Sequence, residues 1–323
     1  MAASSGNQLT PSELELDLSI LVVGYNSASY LTECIGAVHS AVSSYSWEVL
    51  FVNNGTDVSE ELITAKFPEV RVLASIGNVG FAAGNNYLAK HARGRWLLLL
   101  NPDTRLYPEA LDMLLDTAKE HPQFDVLGGI TMGQDGEPDA AARLQLPSFA
   151  SLLRVLLIGH PQPKKFAGGS KVLKVDALNG GFMMARRDRW QALGGLDEGF
   201  FLYAEELDFF KRLKDAGGQA ALVGESRIFH DFGSGDNFSA NRIRFLTIGN
   251  AHYFHKNFRK PYAYACVMLI WAIALKRYLG ASLLASRSDW YARMSRGFGP
   301  VAKSPTKWMW GYNSPGADPR KIR

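Results

Sequence analysis

Four apolar runs, each closed by a polar cluster, organise the first hundred residues. Leu18–Gly24 (LSILVVG), Trp47–Val52 and Arg95–Leu100 (RWLLLL) show no sustained apolar/polar alternation, so each is predicted as a strand buried on both faces, and Val70–Ala74 as a short strand. Between them, Ala28–Val42, Glu60–Phe67 and Phe81–Arg93 are predicted as helices. Such alternation with short loops implies an α/β fold with a mostly parallel central sheet flanked by helices. The polar clusters Tyr25-Asn26-Ser27, Asn53-Asn54-Gly55-Thr56-Asp57, Gly77-Asn78-Val79-Gly80 and Asn101-Pro102-Asp103 follow strands. They therefore fall at the carboxyl ends, where open α/β sheets bind ligands.

Beyond residue 105 the pattern is less regular. Helices are predicted at Pro108–Lys119, Arg187–Leu193, Glu205–Ala216 and Asn241–Phe258. Strands are predicted at Val126–Ile130, Lys174–Asp176, Gly181–Ala185, Ala220–Val223 and Arg227–His230. Leu146–Gly169 mixes an apolar stretch with Pro and Gly, and reads equally as a surface loop, a flap or a membrane-touching insert. Tyr262–Leu275 (YAYACVMLIWAIAL) is 14 nearly continuous apolar residues, short of the ~18–20 that span a bilayer. Lys276 and Arg277 follow it, so both a packing helix and an interfacial helix with Trp271 at the boundary remain open.

Charge adds an asymmetry. The 323-residue chain has a net charge of +4, yet residues 256–323 carry 13 Lys/Arg against 2 Asp/Glu. That region is +11 and the remainder −7. A basic tail on an acidic body predicts an anionic partner surface such as lipid headgroups or a lipid diphosphate, the plainer alternative being a solvated basic face. Nucleic acid is not expected, because no nucleic-acid motif accompanies the charge and the apolar neighbour favours a membrane. Cys34 and Cys266, the two cysteines, form no C-x-x-C pair, which fits a reducing cytoplasm. Residues 1–17 are polar and acidic and lack the apolar core of a signal peptide, so a disordered leader is expected.

Three constellations carry candidate chemistry. Asp103, just after a buried strand, is placed to hold a divalent cation that bridges a diphosphate, although N-P-D also opens ordinary turns. Glu205, Glu206 and Asp208 crowd the start of one helix. The helix dipole favours acids there, but three exceed what capping requires, and one is placed to act as a general base. His230 ends a short strand before a Gly-rich turn (Asp231–Gly235) and suits a metal or a phosphate. His252 and His255 have metal-pair spacing, but packing roles are favoured. No P-loop, H-E-x-x-H or G-x-S-x-G is present, and Gly77–Gly84 (GNVGFAAG) does not match G-x-G-x-x-G.

Taken in order, SILVVGYNSASYLTECI (19–35), EVLFVNNGTD (48–57), GNVGFAAGNNYLAKHARGRWLLLLNPDT (77–104) and GGFMMARRDRWQALGGLDEGFFLYAEELDFFKRLKDAG (180–217) resemble glycosyltransferase family 2, in its bacterial rhamnosyltransferase-like branch. The resemblance covers roughly residues 18–258. It implies the GT-A fold, an inverting mechanism and a divalent Mg²⁺ or Mn²⁺. By position, Tyr25 and Asn26 lie near the nucleobase, and Asn53 replaces an acidic residue that contacts it. Asn78, Gly80, Phe81 and Asn85 line the nucleotide and ribose. Asp103 corresponds to the metal-binding acid of a D-x-D-like motif whose first acid is Asn101 here. Asp176 resembles a donor-sugar contact, and His230 the histidine that completes the metal shell. Glu206 takes the place of the catalytic acid, where most relatives have Asp, with Glu205 and Asp208 beside it.

The resemblance thus implies a hexosyltransferase that moves a sugar, rhamnose first, from a nucleotide diphosphate donor to a glycan or lipid-linked acceptor in cell-surface polysaccharide synthesis. A UDP-galactofuranose or UDP-hexose transferase and a catalytically inactive scaffold are the alternatives. The expected organisation is a nucleotide-sugar half (18–104), an acceptor and catalytic half (105–258) and a helical, basic extension (259–323). The expected location is cytoplasmic, peripheral at the inner face of the membrane through 262–323.

Overall fold

The computed structural model describes residues 16–133, 136–139, 143–159, 172–230 and 238–321. The leader before residue 16, part of the Pro/Gly-rich stretch (160–171) and the Gly-rich turn at 231–235 lie outside them.

The first half follows the predicted alternation: β1 (Leu16–Gly24), α1 (Ala28–Gly36), α2 (Val38–Ala41), β2 (Trp47–Asn53), α3 (Ser59–Lys66), β3 (Arg71–Leu73), α4 (Phe81–His91) and β4 (Gly94–Leu100). The helix expected over Ala28–Val42 is two pieces, parted at Gly36 and Ala37, where a glycine weakens helix continuity. The second half contains β5 (Thr104–Leu106), α5 (Ala110–Glu120), β6 (Val126–Met132), β7 (Pro138–Asp139), β8 (Arg143–Leu144), α6 (Phe149–Leu157), β9 (Val172–Val175) and β10 (Ala177–Leu178). After these come β11 (Phe182–Arg186), α7 (Arg187–Leu193), α8 (Glu205–Asp215), β12 (Ala220–His230), α9 (Ala240–Asn257), α10 (Lys260–Leu284) and α11 (Asp289–Lys303). The two short strands expected at 220–230 are one strand, whose register on β6 shifts between Val223 and Arg227.

One mixed sheet runs through both halves in the order β3-β2-β1-β4-β11-β6-β12-β5. Its first four strands are parallel. β11 then inserts antiparallel between β4 and β6, while β12 returns parallel to β6. The absence of alternation in the strand sequences is explained by burial on both faces. Ile20, Val22 and Phe51 pack with α1 and α5 on one face, and Leu21, Leu50 and Val52 pack with α4 and α8 on the other.

At the amino edge of the parallel strands a buried carboxylate ties three of them together. Glu48 accepts hydrogen bonds from Ser19 Oγ (2.7 Å), the Arg93 amide (2.7 Å) and Arg71 Nη1 (2.6 Å), and pairs with Arg93 Nε at 3.1 Å. Burial pushes its pKa up, but the bonds from Arg71, Ser19 and the Arg93 amide outweigh burial and leave it below the usual value.

The C-terminal extension forms a third core. Phe200, Phe201 and Ala204, which precede α8, are buried against Ile248, Tyr253 and Phe254 of α9, Cys266 of α10, and Trp308 and Tyr312 of the terminal segment. α10 is 25 residues long, well beyond the 14 apolar positions that announced it, and by length and composition it meets the requirement for a bilayer span. It packs against α6, α9 and α11 along part of its surface and leaves Tyr264, Met268, Leu279 and Leu283 exposed.

The Glu48 cluster yields the first test. Glu48→Ala is expected to cost roughly 2–3 kcal/mol, below the ~3–5 kcal/mol of a fully buried pair because Arg71 and Arg93 reach solvent. Because the folded pKa is depressed, this stabilisation is present above pH 4.5 and is lost as pH falls through the folded value. Urea denaturation of both proteins between pH 3 and pH 8 checks the sign.

Candidate active site

The carboxyl ends of β1, β2 and β4, the start of β11 and the end of β12 converge at one edge of the sheet. Gly24 pairs in register with Asn53, Phe182 with Leu100, and His230 with Thr104. The loops beyond these residues build the site.

Asp103 follows β4 on a tight turn in which Thr104 donates to the Asn101 carbonyl through both its amide (3.2 Å) and its hydroxyl (2.6 Å). His230 Nε2 lies 3.3 Å from Asp103 Oδ1, an oxygen shielded from solvent that accepts no hydrogen bond. His230 also lines a cavity of about 10 Å³ with Asn179, Gly181 and Thr131, room for about one water. The Asn101 amide donates to the Gly181 carbonyl (2.9 Å), joining this corner to the segment before β11.

The acids of α8 enter through a strained turn. Tyr203 (φ 68°) and Ala204 (φ 70°) are consecutive non-glycine residues in the left-handed region. Such conformations persist only where the surroundings impose them. Three contacts do so here. The Phe81 amide donates to the Phe201 carbonyl (3.0 Å), and Gly80 (φ 88°) lies so close that an added Cβ would sit 2.3 Å from that oxygen. The Leu202 amide donates to the Tyr312 hydroxyl (2.9 Å), which in turn donates to the Leu202 carbonyl. Gly249 of α9 lies beneath, where an added Cβ would be 2.3 Å from the Tyr203 oxygen.

Glu205 is buried, and its Oε2 has no hydrogen-bond partner. Burial, and then the neighbouring Glu206, raise its pKa well above the ordinary carboxylate value. Glu206 keeps part of its surface open, but the atoms crowding its carboxyl raise its pKa to about 7. Its Cβ and the Phe81 ring flank Gly180, at 3.6 Å and 3.5 Å from where a side chain would begin. Tyr203 has its pKa raised by burial and by the charges of Glu205, Glu206 and Asp103, and lowered by Arg242. The acids of α8, Asp103 and Arg242 therefore share one electrostatic neighbourhood.

The predicted residues separate into two groups. Tyr25 and Asn26 are exposed at the end of β1, with Asn26 in the left-handed region (φ 51°) over Gly55. Asn78 is exposed and caps the Gly80 amide (3.3 Å). Gly80, Phe81, Asp103, Glu205, Glu206 and His230 meet as described. Four others are placed differently. Asn53 is buried and spends its amide on Asp57 and the Gly55 N–H, so it shapes the turn rather than facing a base. Asn85 is buried and donates to the Phe81 carbonyl within α4. Asp208 is fully buried and binds Arg212 (2.8 Å), Lys256 (2.8 Å) and Asn257 (2.9 Å), a clamp between α8 and α9. Asp176 follows β9, whose Val175 pairs with Ala220 at the start of β12, whereas His230 ends that strand roughly 20 Å away. It pairs with Lys214 near the far end of α8 and does not belong to the site. His252 packs edge-on against Phe200, and His255 meets the Met309 carbonyl (2.8 Å), so they form no metal pair.

Sequence reasoning missed Asn54, Arg242 and Tyr312. Asn54 is buried and donates to the Gly80 carbonyl (3.0 Å). Its position beside Asn53 gave no signal of which amide turns inward.

The family model described as glycosyl transferase family 2 matches residues 19–190, more than half of the chain. The chain belongs to glycosyl transferase family 2. It is 26% identical over 232 residues to the N-acetylglucosaminyl-diphospho-decaprenol L-rhamnosyltransferase of Mycobacterium tuberculosis (strain ATCC 25618 / H37Rv), spanning 66% of this chain and 75% of that protein. It is 27% identical over 202 residues to a low-salt glycan biosynthesis hexosyltransferase of Haloferax volcanii, spanning 61% of this chain and 62% of that protein. Among solved structures, the mannosyltransferase PcManGT from Pyrobaculum calidifontis in complex with GDP-Man and Mn²⁺ superposes with a TM-score of 0.55 at 14% identity, over 91% of this chain and 87% of that one. GalNAc-T7 with UDP, GalNAc and Mn²⁺ gives 0.56 at 15% identity, covering 93% of this chain and 58% of that one. These structures share the GT-A fold with this family 2 chain.

The packing beneath the strained turn is testable. Gly249→Ala is expected to destabilise by roughly 1–3 kcal/mol, because the new methyl meets a backbone oxygen that cannot rotate away. Gly280→Ala, in α10 with nothing within 4 Å of its added Cβ, is expected to stabilise by roughly 0.5–1 kcal/mol. Thermal unfolding of the pair reads both signs.

Proposed function

We propose that this chain is an inverting, metal-dependent glycosyltransferase that passes a sugar from a nucleotide diphosphate donor to a hydroxyl of a lipid-linked glycan. The observation that carries the reading is the shared location of Asp103, His230 and Glu206 at the carboxyl edge of the sheet, with the Glu206 pKa at about 7. The name of the mycobacterial relative, an N-acetylglucosaminyl-diphospho-decaprenol L-rhamnosyltransferase, supports rhamnose as the first donor sugar and a lipid-linked acceptor. UDP-hexose donors are the second reading, supported by the UDP bound in one GT-A neighbour.

Asp103 and His230 supply a carboxylate and an imidazole, and no further His, Cys, Asp or Glu completes a cluster of three among the described residues. That donor set fits Mg²⁺ or Mn²⁺, which takes one or two protein carboxylates and fills its shell with substrate phosphate and water. When bound there, the cation neutralises charge on the departing diphosphate. Under this reading, exposed Tyr25 and Asn26 receive the nucleoside, and Gly80 and Phe81 line the space between it and the sugar. Arg242, unpaired with any described carboxylate, adds positive charge near the phosphates.

Glu206 accepts the acceptor hydroxyl's proton as that oxygen bonds to the anomeric carbon. The bond from that carbon to the diphosphate oxygen breaks on the opposite face, so a single displacement inverts the centre. A carboxylate with a pKa near the working pH suits general-base catalysis. Burial and the neighbouring Glu206 favour the neutral form of Glu205, which disposes the negative charge of the pair toward Glu206. Behind this corner, Cys34 is buried, with its thiol pKa pushed up to about 12, so it takes no part as a nucleophile.

Two outcomes test the reading. Glu206→Gln should lower transfer at least a hundredfold while donor-induced thermal shift, in the presence of Mg²⁺ or Mn²⁺, is retained. Undiminished turnover would remove Glu206 from its role. In the wild type, kcat/KM should rise with pH through about 7, because the raised pKa leaves the base protonated below that value. A panel of nucleotide sugars, scored by thermal shift and slow hydrolysis with and without chelator, should give a metal-dependent response to one donor.

A further inference from the structure

A cavity of about 280 Å³ opens between α6, α9, α10 and α11. Its walls are Leu152 and Val155 of α6, Ile243 and Leu246 of α9, Ile270 and Ala274 of α10, and Phe298 of α11. An engineered apolar cavity of about 150 Å³ already binds benzene, so this volume suits a longer hydrocarbon. Its polar lining is largely self-satisfied. Thr247 Oγ1 donates to the Ile243 carbonyl (2.7 Å), and Asn250 Nδ2 donates to the Leu246 carbonyl (2.7 Å). The one charged lining group is Arg277, half-buried over the Phe298 ring at 5.1 Å, and no carboxylate pairs with it among the described residues.

The surroundings point to a lipid. None of the residues of α6 is buried. Leu152 and Val155 face the cavity, while Phe149, Leu153, Leu157 and Ile158 form an exposed outer stripe at helical spacing. With Met268, Leu279 and Leu283 of α10, this helix presents apolar surface on both of its faces, as expected of an element resting in a membrane interface. Residues 256–323, which supply α10 and α11, have a charge of +11, complementary to phosphate headgroups.

α9 also relates this cavity to the catalytic corner. Leu246, Thr247 and Asn250 line the cavity, and Gly249 abuts the turn that delivers Glu205 and Glu206. One helix, ~10 Å across, thus stands between the cavity and the turn at Tyr203.

We propose that the cavity between α6, α9, α10 and α11 holds the hydrocarbon chain of a phosphate-bearing lipid, with Arg277 pairing with its phosphate. Under the reading given above, on which this identification of the lipid rests, the occupant is the tail of the lipid-linked acceptor, held so that its sugar reaches Glu206.

The test is calorimetric titration with farnesyl phosphate, in chelator to keep the metal corner out of play. Saturable binding to the full chain is expected, weakened at least tenfold by Leu246→Trp, which fills the cavity, and by Arg277→Gln. Inorganic phosphate should give no binding, and farnesol should bind at least tenfold more weakly than its phosphate. Val155→Trp serves as a second filling variant should Leu246→Trp fail to fold, and donor-induced thermal shift with Mn²⁺, on chelator-free portions of the same proteins, reports an intact sheet site. No binding by the wild type, equal affinity in the variants, or inorganic phosphate binding as tightly as its ester would overturn the proposal. Because the donor response is read separately, absence of lipid binding by the wild type with an intact donor response rejects the cavity and leaves the transferase reading standing.

Discussion

The contact on which the site depends is the one between Gly80 and the Phe201 carbonyl. Two segments more than a hundred residues apart meet there, backbone to backbone, at a distance only glycine permits, and the neighbouring Phe81 amide closes the hydrogen bond. That contact fixes where the chain turns through Tyr203 and Ala204 into α8. The turn is strained, so it is the surrounding structure that holds the acids, not local preference. Tyr312 braces the same turn from the terminal segment and Gly249 from α9, which gives the C-terminal extension a direct hold on the start of α8.

The pKa displacement follows from the same architecture. The turn drives two adjacent carboxyls into a crowded helix start, where desolvation penalises charge on both and Glu206 further discourages ionisation of Glu205. Asp208, three residues on, shows the contrast. It is equally buried but surrounded by Arg212, Lys256 and Asn257, and it serves as a clamp. One short acidic run thus supplies both a crowded carboxyl pair and a structural anchor, according to what each residue faces.

Much of this was legible in the chain itself. Runs such as LSILVVG and RWLLLL carry no alternation because both sheet faces are covered, and the polar clusters mark the functional edge because they terminate those strands. Asp103 and His230, 127 positions apart, were singled out from strand-end placement and resemblance, and the pairing of β5 with β12 brings them together. Asp176 was misplaced because a carboxylate beside a strand gives no sign of which end of the sheet that strand presents; β9 pairs with the opposite end of β12. Asn53 carried no local signal that its amide turns inward to Asp57. The lipid-suited cavity was invisible because its walls come from four helices, and the helical pattern of α10 reports that the helix is apolar, not what it packs against.

The central claim is that Glu206 is a carboxyl poised near neutrality by its turn. Its titration, followed by ¹³C NMR of the side-chain carboxyl and assigned by loss of the signal in Glu206→Gln, tests this without requiring any substrate. The account predicts a midpoint near 7 in the free protein. A midpoint at the ordinary value of 4.5 would contradict it, and with it the assignment of Glu206 as the general base.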